Sequence, residues 1–156
     1  MFLALIIIGI ALLSLAIFAL WTKRASAEGE LVRHSISPKE LHSLMNSSQK
    51  VLLFDVRQAL DLLAYPEQIP GGLRIPPDDV LTNPAAIPKD KDVIFYCTCP
   101  GDKTSRMVLH QVRAVGFSRV KFLTGGLAAW KGMGFPVEPF PGTIIFSSIA
   151  SAPPIV

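Results

Sequence analysis

Cysteine is scarce in this sequence, and so are charged and aromatic residues. The 156 residues include two cysteines, Cys97 and Cys99, which are too few for a disulfide framework or a four-cysteine zinc site. Only 17% of the residues are charged, with 15 Lys and Arg against 12 Asp and Glu. Because the basic residues are scattered and form no stripe along which phosphates could bind, we expect no nucleic-acid partner.

Charge is entirely absent from residues 1–22. Residues 2–21 read FLALIIIGIALLSLAIFALW, and at about 1.5 Å of helix rise per residue they match the roughly 30 Å apolar thickness of a bilayer. This run explains why half of the chain is hydrophobic. We therefore predict one transmembrane helix over residues 1–22, which makes the membrane a partner through residues 2–21.

The residues that follow the apolar run give the expected orientation. Trp21 fits an interfacial anchor, and Lys23 and Arg24 come directly after it, so the positive-inside rule places the rest of the chain in the cytoplasm at the cell membrane. A cleaved signal peptide is an alternative, because Ala25-Ser26-Ala27 offers a cleavage site and the chain would then be exported. A buried core helix is the remaining possibility.

The rest of the chain alternates apolar runs with amphipathic stretches. Residues 23–33 indicate a linker, residues 34–140 one domain, and residues 141–156 a tail broken by prolines and serines. Strands that alternate with helices predict an α/β domain with a central, mostly parallel sheet flanked by helices. We predict strands over 51–56, 73–75, 92–97 and 120–123, and helices over 38–46 with Ser37 as N-cap, 105–115 and 127–133.

The segment that holds both cysteines is the best candidate for chemistry. Residues 93–106 read VIFYCTCPGDKTSR, which predicts a strand, a short loop and the start of a helix. Reactive groups in open α/β sheets lie at the carboxyl ends of strands, and the N-terminus of the next helix favours an anion there. We therefore expect a lowered pKa for a cysteine in this loop, and we expect Lys103 and Arg106 to attract an anionic substrate.

Five segments within residues 36–137 resemble the rhodanese-like, or sulfurtransferase, domains. They are Asp55-Val56-Arg57, IPGGLRIP at 69–76, the cysteine loop, Gly116-Phe117, and LTGGLAAW at 123–130. The resemblance implies a rhodanese-like layered fold. It also implies a sulfurtransferase of the thiosulfate:cyanide type, in which a cysteine takes sulfur from a small anionic donor and passes it as a persulfide to a thiol, to cyanide or to a protein acceptor. We expect no cofactor and no metal ion.

The spacing within the loop favours Cys99 over Cys97 as the nucleophile. In rhodanese-like domains a serine follows the catalytic cysteine by six positions, as Ser105 follows Cys99, whereas Cys97 ends the strand and resembles a buried small hydrophobic residue. The resemblance implies that the loop and the start of the helix hold the anion, through Pro100, Gly101, Asp102, Lys103, Thr104, Ser105 and Arg106. We expect Asp55 and Arg57 to form structural hydrogen bonds near the loop.

Three departures from the family pattern keep a second hypothesis open. Thr104 stands where an arginine is common, Asp102 where a glycine is usual in mid-loop, and Gln68 where a histidine is usual. Because Asp102 should repel an anionic donor, a non-catalytic module that binds an anion or a partner is the alternative to the enzyme.

Three other chemistries use cysteines in comparable arrangements. A phosphatase needs an arginine six positions after its cysteine, and from Cys99 that position is Ser105, one short of Arg106. A metal site lacks a third and fourth ligand nearby in the sequence. A redox pair, in which one cysteine resolves a persulfide or sulfenate on the other, is chemically reasonable.

Overall fold

The structure, a computed structural model, describes residues 2–47 and 49–141 of the chain. Its contacts divide the chain into two compact units, Met1–His34 and Ser35–Val156. The tail predicted for residues 141–156 lies outside the described residues except for Pro141.

The first unit consists of one long helix. Helix α1 runs over Phe2–Arg33, so residues 23–33, expected to form a linker, are helical. Lys, Arg, Ala, Glu and Leu are good helix formers and make up most of that stretch, in which Gly29 is the weakest. Among the described residues, no helix has both the length and the apolar character needed to cross a membrane. The structure thus does not support the transmembrane helix predicted over residues 1–22.

The second unit is built on a parallel sheet. The described residues form strands β1 (Ser35–Ile36), β2 (Val51–Asp55), β3 (Glu67–Gln68), β4 (Leu73–Arg74), β5 (Asp92–Tyr96), β6 (Val120–Leu123) and β7 (Glu138–Pro139). Five of them pair in the order β1-β6-β5-β2-β4, and every pair is parallel. The other two, β3 and β7, form a small antiparallel ribbon. The predicted α/β fold with a mostly parallel central sheet is confirmed.

Helices connect and flank these strands. They are α2 (Pro38–Met45), α3 (Ala59–Ala64), α4 (Pro77–Thr82), α5 (Lys103–Ala114) and α6 (Gly126–Gly132). Helix α2 starts as predicted, because the Ser37 hydroxyl accepts a hydrogen bond from Glu40 N at 3.3 Å and the Glu40 carboxylate accepts one from Ser37 N at 2.9 Å. The predicted strands and longer helices are all present, with ends shifted by at most two residues.

The core lies on both faces of the central strands β2 and β5. Leu53, Ile94 and Tyr96 pack on the face that also buries Trp130 of α6. On the opposite face, the rings of Phe54 and Phe95 stack with their centroids 6.1 Å apart. The fully buried Trp130 donates its indole N–H to Pro136 O at 2.7 Å. Because both faces are covered, the carboxyl end of β5 has a fixed position.

Candidate functional site

The strand end that carries the cysteines is held by its neighbours. Cys97 follows the last residue of β5, and its carbonyl oxygen accepts a hydrogen bond from Leu127 N at 3.0 Å. A Cβ atom added to Gly126 would lie 1.9 Å from that oxygen, so only glycine permits this close approach. The first residues of α6 therefore pack directly on the backbone of Cys97.

A tight turn connects Cys99 to helix α5. Pro100–Asp102 form one turn of 3-10 helix, and Asp102 N donates a hydrogen bond to Cys99 O at 3.1 Å. Gly101 and Asp102 both lie in the left-handed region, with φ of 69° and 55°. Glycine adopts this region freely, and aspartate tolerates it better than most residues do. The turn brings the N-terminus of α5 back to the side chain of Cys99.

The sulfur of Cys99 lies within hydrogen-bond distance of three partners. Thr104 N donates to Cys99 Sγ at 3.2 Å, Thr104 Oγ1 lies 3.4 Å from the same sulfur, and Cys97 Sγ lies 2.9 Å from it. Burial opposes ionisation, but the hydrogen bonds from Cys97 and Thr104 outweigh it and lower the pKa of Cys99. This is the direction expected from the sequence, and it favours the thiolate.

Cys97 has the opposite environment. Its side chain is buried, whereas Cys99 is partly exposed. Burial, with a further contribution from the hydrogen bond to Cys99, raises the pKa of Cys97 to about 11. Cys97 is therefore a neutral thiol at physiological pH, and its burial agrees with the prediction of a small hydrophobic residue at the strand end.

Asp102 holds the loop against the turn between β6 and α6. Its carboxylate Oδ2 accepts a hydrogen bond from Gly125 N at 2.8 Å, and the residue is 7% exposed. Burial raises the pKa of this carboxyl group, against the opposing effect of the Gly125 hydrogen bond. From the sequence we expected Asp102 to repel an anionic donor, and we did not anticipate this contact. Nothing local in the sequence signals it, because the two residues are 23 positions apart.

Asp55 and Arg57 form the structural pair that was expected near the loop. Arg57 Nη2 lies 2.6 Å from Asp55 Oδ2, with both side chains fully buried. The same guanidinium donates hydrogen bonds to Tyr65 O and Glu67 O, each at 2.9 Å. Tyr96 donates its hydroxyl to Asp55 at 3.2 Å, which links the pair to the residue before Cys97. These contacts hold the segment that precedes β3 against the sheet.

The other residues predicted for the site differ in their contacts and in their exposure. Thr104 contacts it directly, Ser105 is buried, and Lys103 is exposed at the start of α5. Arg106 Nη1 donates a hydrogen bond to Gly101 O at 3.5 Å, which places one positive charge beside the turn. Within the described part of the chain, no group of three or more His, Cys, Asp or Glu side chains is arranged to hold a metal ion.

The family profile described as Rhodanese-like domain matches residues 37–133, which include the whole cysteine loop. The chain belongs to the rhodanese-like domain family. A sulfurtransferase from Allochromatium vinosum is 29% identical to it over 104 residues, which are 67% of this chain and 94% of that protein.

Two further proteins resemble this rhodanese-like domain. A probable adenylyltransferase/sulfurtransferase from Mycobacterium tuberculosis is 31% identical over 98 residues, which are 62% of this chain but 24% of that protein, so the match spans about a quarter of its length. The solution structure of a rhodanese-like domain from Anabaena has a TM-score of 0.58 at 27% identity and covers 68% of this chain and 79% of that one.

Proposed function

We propose that this chain is a sulfurtransferase that carries a sulfane sulfur atom as a persulfide on Cys99. The observation that carries the proposal is the setting of Cys99, which is partly exposed and whose Sγ accepts a hydrogen bond from Thr104 N, with a lowered pKa. The thiolate is the nucleophilic form of cysteine, and this setting favours it. The names of the two relatives support the same class of reaction.

In the first half of the proposed reaction, the Cys99 thiolate attacks the outer sulfur of a donor such as thiosulfate. A bond forms between Cys99 Sγ and that sulfur, the sulfur–sulfur bond of thiosulfate breaks, and sulfite leaves with the electron pair. No proton is needed, because the new persulfide and the sulfite both leave the step as anions. In the second half, cyanide or a thiolate attacks the outer sulfur and Cys99 leaves as the thiolate again.

The start of α5 supplies the positive field for the anionic donor. Unpaired N–H groups and the helix dipole make a helix N-terminus a favourable place for negative charge, and Thr104 N already points at the reactive sulfur. Lys103 and Arg106 add two full charges on the same turn. A Cβ at Gly101 would meet nothing within 4 Å, so the turn is not covered at this residue by other described parts of the chain.

A steady-state assay with thiosulfate and cyanide tests the proposal on the full chain. We expect the wild-type chain to form thiocyanate and Cys99→Ser to lose this activity, because serine is not a thiolate at the pH of the assay. We expect Cys97→Ser to retain measurable turnover at an altered rate, since its hydroxyl still donates a hydrogen bond to Cys99. Loss of activity in Cys97→Ser with an active Cys99→Ser would contradict the assignment.

The alternative, a module that binds an anion or a partner without turnover, predicts a different result. Wild-type chain would then form no thiocyanate, although isothermal titration would still detect binding of thiosulfate. Absence of turnover in a correctly folded wild-type chain would therefore overturn the sulfurtransferase proposal.

A further inference from the structure

The sulfur atoms of the two cysteines lie side by side, and one cysteine is buried while the other is partly exposed. Cys97 Sγ and Cys99 Sγ lie 2.9 Å apart, and only Cys99 is partly open to solvent. A donor in solution therefore reaches Cys99 first, and Cys97 can react with it only through Cys99. The backbone of Cys97 is fixed by Leu127 N and by the close approach of Gly126, so this arrangement belongs to the fold.

We propose that Cys97 resolves the persulfide on Cys99, so that the chain releases sulfide and closes a Cys97–Cys99 disulfide. At this site the reaction would compete with transfer of the sulfur to an external acceptor. It rests on the proposed function, because it starts from the persulfide on Cys99. The chain would then convert the sulfane sulfur of its donor to sulfide whenever no better acceptor is present.

The proposed step balances without an external oxidant. Once the persulfide has formed, Cys99 Sγ is bonded to the outer sulfur and is an electrophile. The anionic outer sulfur of the persulfide takes the proton of the Cys97 thiol, so that Cys97 becomes a thiolate. Cys97 Sγ then attacks Cys99 Sγ, the bond from Cys99 Sγ to the outer sulfur breaks, and the outer sulfur leaves as hydrosulfide. The sulfane sulfur gains two electrons, and the two cysteines lose two as their disulfide forms.

The chain between the cysteines permits this bond. Disulfide-linked residues have Cα atoms about 4.4–6.8 Å apart, and two residues of extended chain span at most about 7 Å. Only Thr98 separates Cys97 from Cys99, and it lies between the end of β5 and the 3-10 turn, outside any regular element. A small bend at Thr98 therefore brings the two sulfurs to bonding distance without moving the sheet.

The high pKa of Cys97 gives it a defined part in this sequence of steps. As a neutral thiol it does not compete with Cys99 for the donor, and it holds the proton that the departing sulfide needs. A small thiol then reduces the disulfide through thiol–disulfide exchange. The complete cycle converts one sulfane sulfur atom and two thiols to one sulfide and one disulfide of the small thiol.

A single-turnover experiment on the reduced full chain tests the inference. The chain is loaded in one arm with one equivalent of thiosulfate and in a second arm with inorganic polysulfide, which delivers sulfane sulfur to a thiolate directly. No cyanide or small thiol is present. Released sulfide is measured by colour reaction in the thiosulfate arm only, because polysulfide itself yields sulfide when it loads a cysteine. The protein mass is measured without reduction in both arms. Cys97→Ser is the matched variant, because it replaces one sulfur with a hydroxyl group.

We expect the wild-type chain to end as the disulfide in both arms, with a mass lower by two hydrogens, and to release sulfide in the thiosulfate arm. Cys97→Ser should release no sulfide in the thiosulfate arm and should keep one added sulfur atom in both arms. A persulfide on the wild-type chain that survives as long as the one on Cys97→Ser would overturn the inference. If polysulfide loads the chain with sulfur and thiosulfate does not, that result counts against the proposed function alone. Formation of the disulfide in the polysulfide arm then still tests the inference. The wild-type result does not depend on the variant being folded.

Discussion

One residue, Thr98, separates Cys97 from Cys99, and their surroundings shift the pKa values of the two thiols in opposite directions. Cys97 is buried behind the strand end, which raises its pKa, whereas the donors around Cys99 lower the pKa of Cys99 despite partial burial. Thr104 contacts the sulfur of Cys99 with its backbone N–H, which donates a hydrogen bond, and with its hydroxyl group, whose hydrogen bond also lowers the pKa of Cys99. The residue that stands where the family commonly has an arginine therefore contributes directly to thiolate stability.

Replacing the Thr104 hydroxyl group tests this contribution. In Thr104→Val the backbone N–H remains but the side-chain hydrogen bond is lost, so the pKa of Cys99 should rise. A hydrogen bond worth about 1 kcal/mol corresponds to a roughly fivefold lower thiolate population where the thiol form predominates. The rate of alkylation of Cys99 by iodoacetamide, followed by peptide mass spectrometry across pH, should reach its plateau at a higher pH in the variant.

Thr82→Val is a suitable control for that measurement. The Thr82 hydroxyl group bonds Asp78 O within α4, and this contact does not involve the cysteine loop. Its alkylation profile should match that of the wild-type chain. Identical profiles for Thr104→Val and the wild-type chain would show that the hydroxyl group does not stabilise the thiolate.

At the scale of elements, the site depends on two strand-to-helix turns that contact each other. The turn from β5 to α5 carries Cys99, and the turn from β6 to α6 carries Gly125 and Gly126. The Asp102 carboxylate accepts the Gly125 N–H, and the first residues of α6 pack on the carbonyl of Cys97. The position of Cys99 is therefore determined by contacts distant in sequence as well as by its own loop.

Gly126→Ala should disrupt this packing. The added Cβ would lie 1.9 Å from Cys97 O, and the position has a φ of 50°, which alanine adopts unfavourably. We expect the free energy of unfolding, measured by urea titration, to fall by about 3 kcal/mol or more, with loss of thiocyanate formation. If Gly126→Ala does not fold, the destabilisation will appear as a lower yield of soluble protein.

Gly132→Ala, in the same helix, is the matched control. A Cβ at Gly132 would meet nothing within 4 Å, and alanine is favoured over glycine in helices by up to about 1 kcal/mol. This variant should be as stable as the wild-type chain or slightly more stable. Equal stability of both alanine variants would mean that α6 does not pack tightly on Cys97.

At the scale of the whole molecule, the sequence predicts what is decided locally. The capping box at Ser37 and Glu40 and the continuous apolar runs of β2 and β5 each involve residues that are close together in the sequence. Each of these patterns led to a correct element, because helix caps and buried parallel strands have strong local signatures.

The features that could not be predicted depend on distant residues or on short elements. The contact between Asp102 and Gly125 N joins parts of the chain that meet only after the sheet has formed. Helix α4 spans six residues and begins in a proline-rich stretch that indicates a loop. Composition alone suggested a linker over residues 23–33, where the structure continues helix α1.

The most direct test of the central claim, sulfur transfer through a persulfide on Cys99, is to locate the transferred sulfur atom. Cys97→Ser is treated with thiosulfate, and its peptides are analysed by mass spectrometry without reduction, so that resolution by Cys97 cannot remove the added sulfur. We predict one additional sulfur atom on the peptide that contains Cys99, together with one equivalent of released sulfite. An unmodified Cys99 in a folded chain that has been exposed to thiosulfate would contradict the claim.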